Sequence, residues 1–174
     1  QWTQQGLDNF KISINISTKQ LESPDLYRNM MNIIEKYELK GGDINIEITE
    51  SQALVEDDIT YNNIRNLSDF GIGIVMDDFG VGHSSLIYIR NMPITTLKID
   101  GSLSRDIVNN DVSYNIVATI YDLCKLMDLN IVMEFVETEE QLDRIMGLGD
   151  FLIQGYLFSP PLNGDEIHKF IKDF

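Results

Sequence analysis

The sequence predicts an α/β protein, a parallel (β/α)8 barrel of the TIM-like kind with about six of its eight strands present. Six short apolar runs each end on a carboxylate, amide or lysine: Asn15, Glu47, Asp77-Asp78, Lys98, Glu134 and Gln154. These ends recur at a mean interval of about 28 residues, close to the ~30 residues of one βαβ crossover. The runs are apolar throughout rather than alternating, as strands covered on both faces are. Polar ends spread over every strand converge only when the strands close into a ring, which favours a barrel over an open sheet.

Each element has its own local warrant. Ile12-Ser13-Ile14-Asn15 is the first strand, and Ser23-Pro24 then starts a helix, with Ser as the cap and Pro at the first helical position. Leu26, Met30, Ile33, Ile34 and Tyr37 follow helical spacing, and Gly41-Gly42 is the expected stop. After the strand Ile44-Asn45-Ile46-Glu47, a second helix is expected over 53–70, with Ile64, Leu67 and Phe70 inward and Gly71 ending it. Ile74 to Asp78, Leu97 to Asp100, Ile131 to Glu134 and Phe151 to Gln154 are the remaining strands. The clearest apolar stripe predicts a helix over 112–127. Thr138-Glu139-Glu140-Gln141 and Asn163-Gly164-Asp165-Glu166 read as capping boxes that open two last helices.

Nothing divides the chain, so residues 1–174 are expected to form one domain. A complete barrel takes about 250 residues, so this one of 174 is expected to lack two βα units on its N-terminal side. Residues 1–9 read as the end of a helix begun upstream. The formal charge is −15, from 13 Lys+Arg against 28 Asp+Glu. Such a surface repels nucleic-acid polymers and anionic membranes, yet admits a small phosphorylated ligand if cations sit in the site. Cys124 is the only cysteine. Among Val117, Ile120, Leu123 and Met127 it reads as a buried, inert thiol, and a chain without disulfides fits a reducing, cytoplasmic location.

Asn15, Glu47, Asp77, Asp78 and Glu134 make an all-oxygen set without His or Cys, which disfavours zinc and copper and suits Mg2+ or Mn2+. Singly, each acid reads equally as a helix cap or a solvated strand end. Together at barrel spacing they point to a centre for two ions about 3.5–4 Å apart, of the kind that cleaves phosphodiesters. Lys98 lies between Leu97 and Ile99 and so points opposite to them. There it would position or deprotonate a water, or neutralise phosphate, unless it pairs with Asp100 or reaches outward. Gln154 follows the same argument with less force.

Six segments stand in order: Asn15-Ile16-Ser17, Glu47-Ile48-Thr49-Glu50-Ser51, Asp77-Asp78-Phe79-Gly80-Val81-Gly82-His83-Ser84-Ser85-Leu86, Leu97-Lys98-Ile99-Asp100, Glu134-Phe135-Val136-Glu137-Thr138 and Gln154-Gly155-Tyr156. Over residues 10–162 they resemble the EAL-domain family of cyclic di-GMP phosphodiesterases. The resemblance implies hydrolysis of cyclic di-GMP to linear pGpG with two Mg2+ or Mn2+ ions. It implies that Asn15, Glu47 and Asp77 bind one ion and that Asp77, Asp78 and Glu134 serve the other. Lys98 and Gln154 would hold the nucleophilic water or its neighbours, and Glu50 would anchor the loop over 79–85, which borders a homodimer contact. Glu137 would be a supporting acid, whereas His83 reads as a loop residue and His168 as surface. An upstream sensory or GGDEF-type domain is the expected neighbour. Two departures stand out. The Glu-Ala-Leu strand that names the family, with a further metal ligand, is expected upstream of Phe10. Phe135 stands where the family has glycine, adding bulk that would crowd the second ion or the substrate. Such a domain that captures or relays without turnover is the alternative reading.

Overall fold

The computed structural model describes residues 10–53, 57–80 and 86–173. Six parallel strands form one sheet: β1 (Ile12–Asn15), β2 (Ile44–Thr49), β3 (Gly73–Phe79), β4 (Thr96–Ile99), β5 (Asn130–Met133) and β6 (Leu152–Ile153). Each strand pairs with its successor in the chain, so the sheet order is also the sequence order. Crossovers that all step the same way, with the one hand such connections take, put every helix on one face. The other face is then the inside of a barrel. An open doubly wound sheet would reverse its order midway, and this one does not.

Between the strands lie α1 (Thr18–Leu21), α2 (Leu26–Lys36), α3 (Glu50–Ala53), α4 (Asp58–Asp69), α5 (Leu86–Asn91), α6 (Gly101–Asp106), α7 (Asp111–Leu126), α8 (Glu139–Met146) and the terminal α9 (Gly164–Asp173). The core is the layer where helices meet strands. Ile46, Ile48, Ile74, Met76, Leu97, Ile99 and Met133 from the sheet pack with Ile64, Leu67, Val117, Cys124 and Ile145 from the helices. Each buried aliphatic side chain contributes about 1.5–3 kcal/mol of transfer free energy.

The helix starts follow the capping logic. Asn110 Oδ1 accepts from the Val112 and Ser113 amides at the head of α7. Thr138 and Gln141 exchange bonds reciprocally at α8, as do Asn163 and Glu166 at α9. Gly71, at φ +101°, ends the helix before β3 as expected.

Three expectations need correction. The helix after β1 starts behind Asp25 and not Ser23, whose hydroxyl instead accepts from the Asp25 amide, and a short extra helix, α1, precedes it. It stops at Tyr37 and Glu38, where Glu38 turns left-handed at φ +54°, several residues before Gly41-Gly42. Tyr37 is consequently 61% exposed and Ile33 half exposed, off the buried stripe of Leu26, Met30 and Ile34. The helix expected over 53–70 is two helices, α3 and α4, and Phe70 lies beyond the last turn, exposed. Strand β1 also departs from the pattern of full burial. Ile12 and Ile14 are exposed, since β1 has a strand neighbour on one side only among the described residues. Residues 1–9, and with them the expected helix end, lie outside the described residues.

Candidate metal centre

The polar strand ends meet where the alternation of parallel strands puts them, at one end of the sheet. Lys98 on β4 is 5% exposed, and its ammonium donates to three carboxylates, one on β2, one on β3 and one just past the end of β5. Its Nζ lies 3.0 Å from Glu47 Oε2, 3.1 Å from Asp77 Oδ1 and 2.8 Å from Glu134 Oε1. The lysine therefore points into the barrel. Asp100 is otherwise engaged: its Oδ1 accepts from the Ser102 amide and caps α6.

Asp77, Asp78 and Glu134 bring one carboxylate oxygen each within 4.8 Å of one another, a spacing that holds a cation. Neighbouring strand residues ordinarily point to opposite faces. A register shift between Met76 and Phe79 breaks that rule here, and Asp78 sits at φ +58° within it. Aspartate tolerates the left-handed region better than most residues, and a bulge re-aims its side chain. The two adjacent acids thereby face one site. Glu134 is followed by a second left-handed residue, Phe135 at φ +55°. Backbone strain of this kind costs ~1–3 kcal/mol and persists where the surroundings hold it.

The electrostatics are one-sided. Burial pushes the Glu134 carboxyl above its ordinary value; Lys98 opposes this, and Asp77 and Asp78 add to it. Burial likewise raises Asp78, with Asp77 and Asp100 contributing. Burial disfavours the Lys98 ammonium, yet its bonds to Glu134, Glu47 and Asp77 override that and hold its pKa above the usual lysine range. These directions have one meaning. Asp78 and Glu134 hold a proton more tightly than free carboxyls do, because burial and the neighbouring acids disfavour their charged forms. An all-oxygen, net negative centre fits a hard divalent ion.

The other anticipated residues lie on neighbouring elements. Asn15 lies opposite Glu47 in the β1–β2 register and is exposed. Glu50, the first residue of α3, is 6% exposed, and neither of its carboxylate oxygens has a partner among the described residues. Of the loop it is expected to hold, 79–85, residues 81–85, including His83, lie outside the described residues. Gln154 follows β6 and lines a cavity of about 550 Å3 with Phe135, Arg105, Tyr156 and Pro160. The sequence reading missed this cavity and Arg105, because α6 is too short to show periodicity. The Asp100 cap was its only signal. Phe135 is 44% exposed, and its ring is braced from one side. Its ring lies along Gly101, where any side chain would overlap it, and the Arg105 guanidinium sits 5.1 Å from its centroid.

The EAL domain model matches residues 1–161. Over 166 residues the chain is 32% identical to the bifunctional diguanylate cyclase/cyclic di-GMP phosphodiesterase MucR of Pseudomonas aeruginosa, covering 95% of this chain and 24% of MucR. The PaMucR phosphodiesterase solved as a c-di-GMP complex superposes with a TM-score of 0.89 at 32% identity, over 95% of this chain and 67% of that one. The EAL domain of Mycobacterium smegmatis DcpA gives 0.92 at 30% identity, over 99% and 78% respectively. A manganese/cy-diGMP complex of Klebsiella pneumoniae BlrP1 gives 0.84 at 29% identity, over 92% and 41%. The chain spans about a quarter of the length of the curated relatives it matches.

Proposed function

Because this chain belongs to the EAL domain family, we propose that it hydrolyses cyclic di-GMP to linear pGpG, with two Mg2+ or Mn2+ ions bound at the acidic centre. The observation that carries this reading is the buried Lys98 ammonium bonded to Glu47, Asp77 and Glu134, beside the Asp77–Asp78–Glu134 cluster. Asn15, Glu47 and Asp77 would hold one ion, and Asp77, Asp78 and Glu134 the other. Bound ions of this type supply an activated water and neutralise charge on the phosphodiester.

The chain's own groups do the rest. Lys98 orients three carboxylates at once and brings a positive charge to the place where the anionic phosphate must lie. Gln154 would offer a neutral amide to the nucleophilic water or its neighbours. Glu50 carries a buried carboxylate that lacks hydrogen-bond partners among the described residues, an arrangement that costs free energy unless a donor arrives. This supports its role as anchor of the loop that follows Gly80.

The proposal extends to the surroundings. We place the domain in the cytoplasm, as a homodimer that works beside a sensory or GGDEF-type domain. In the described residues no helix is long and apolar enough to cross a membrane. Incubation of the purified protein with cyclic di-GMP and Mn2+, followed by chromatography, tests the activity: pGpG is expected, and its absence refutes the enzyme. A second reading, capture of cyclic di-GMP without turnover, draws on Phe135, whose left-handed backbone fixes a large side chain next to Glu134. Binding without product would select it.

A further inference from the structure

The cavity beside the acidic centre has an unusual wall. Phe135 is 44% exposed although its neighbours Glu134 and Val136 are buried. Its φ of +55° is a conformation phenylalanine rarely adopts, so something must hold it. The ring is held from the side: it lies against the bare Cα of Gly101, and Arg105 from the same helix sits over it. The Ser104 hydroxyl, at 3.4 Å, donates to the Phe135 carbonyl, and the Gln141 amide ties Ser104 in turn to α8. The exposed part of the ring and the Arg105 side chain stacked over it both line the cavity. The cavity is also lined by Tyr156, 65% exposed, and Pro160, with Gln154 and Glu137 as its polar residues. A volume of about 550 Å3 lies within the ~300–1,000 Å3 of small-ligand sites.

We propose that Phe135 and Arg105 are a stacking platform for one purine base of the substrate. This deepens the functional reading above and rests on it. Flat π faces and guanidinium planes are what nucleobases stack on, irrespective of base identity. The platform begins one residue after Glu134. A base held there leaves its own phosphate at the acidic centre, a few bonds away. The bulk of Phe135 thus serves substrate retention rather than obstruction.

The test is titration of cyclic di-GMP, with calcium in place of manganese, into the wild-type protein and the Phe135→Leu, Phe135→Tyr and Arg105→Gln variants. Turnover of the wild type is assayed in parallel in Mn2+. Loss of the flat surface in Phe135→Leu or Arg105→Gln should weaken binding roughly tenfold, while Phe135→Tyr should bind within about twofold of wild type. A Phe135→Trp variant should show fluorescence quenching on nucleotide addition beyond that of the wild type, a signature that packing alone would not produce. Should Phe135→Leu fail to fold by circular dichroism, the exposed Arg105→Gln decides the matter. Wild-type hydrolysis with unchanged binding by the Leu and Gln variants overturns the platform and spares the functional reading. Binding that depends on Phe135 without hydrolysis does the reverse. A wild type that neither binds nor hydrolyses overturns both.

Discussion

Lys98 shows how one residue can serve stability and chemistry together. A buried ammonium is tolerated only because three carboxylates satisfy its three donors. In Lys98→Gln those acids face one another uncompensated, so the cation-free variant should lose ~3–5 kcal/mol of stability and added Mn2+ should restore part of it. Melting curves with and without the ion decide this; an unchanged melt without ion would count against the arrangement. Glu134 gives a pH dependence. Its raised pKa means the folded state holds the proton more tightly, so its contribution to stability is lost as pH rises from the ordinary carboxyl range through the raised value. Cation-free protein should therefore melt lower as pH climbs through that window, and Glu134→Gln should reduce the slope, leaving the part that the raised Asp78 contributes. Cys124 is fully buried with its pKa pushed up to about 11 by burial. At pH 8 it should resist thiol reagents until denatured, which a colorimetric titration reads directly. Its inertness was legible in sequence, since it falls on the apolar stripe of α7. The threefold bonding of Lys98 was not: alternation told which way it pointed, but not which acids it would find.

At the scale of elements, the strand ends do the positioning. Strand β5 carries Glu134 out of the sheet, and its extension lies tight against Gly155 beyond β6. A Cβ on Gly155 would overlap the Val136 backbone. Gly155→Ala should thus cost about 1–3 kcal/mol, or more where the backbone cannot yield, measured as a shift in the urea midpoint. The β3 bulge has the same kind of importance. It turns Asp78 to the side of Asp77, and no propensity or periodicity marks it, because a register shift depends on the neighbouring strand. The capped helices are the opposite case. Thr138 and Asn163 were readable as starts because a cap needs only residues within one turn. The end of α2 was misread for a related reason: Gly41-Gly42 is a good stop, but the chain turned earlier, at Glu38, to reach the start of β2.

Across the whole molecule, order in the chain becomes order around the sheet. The chain carries a formal charge of −15, and Glu47, Asp77 and Glu134, far apart in sequence, share one lysine. Replacing Glu47 or Asp77 by Ala should abolish turnover of cyclic di-GMP, as each removes an oxygen donor that nothing nearby replaces. The two outer strands follow from the same topology. Ile12 and Ile14 on β1 and Leu152 on β6 are exposed at edges that pair on one side only among the described residues. These 174 residues expressed by themselves should self-associate through those edges, as light scattering would show, and Ile12→Lys with Ile14→Lys should suppress it.

By itself the sequence determined the parallel α/β architecture, the strand positions and the residue types of the acidic centre. Spacing and hydrophobic pattern are local properties, and a barrel repeats them six times over. Only the tertiary structure decided which carboxylates Lys98 unites, how Asp77 and Asp78 come to face one site, and that Phe135 leans on Gly101 beneath Arg105. Each of these is a contact between segments distant in the chain, set by register and packing rather than by any neighbour in sequence.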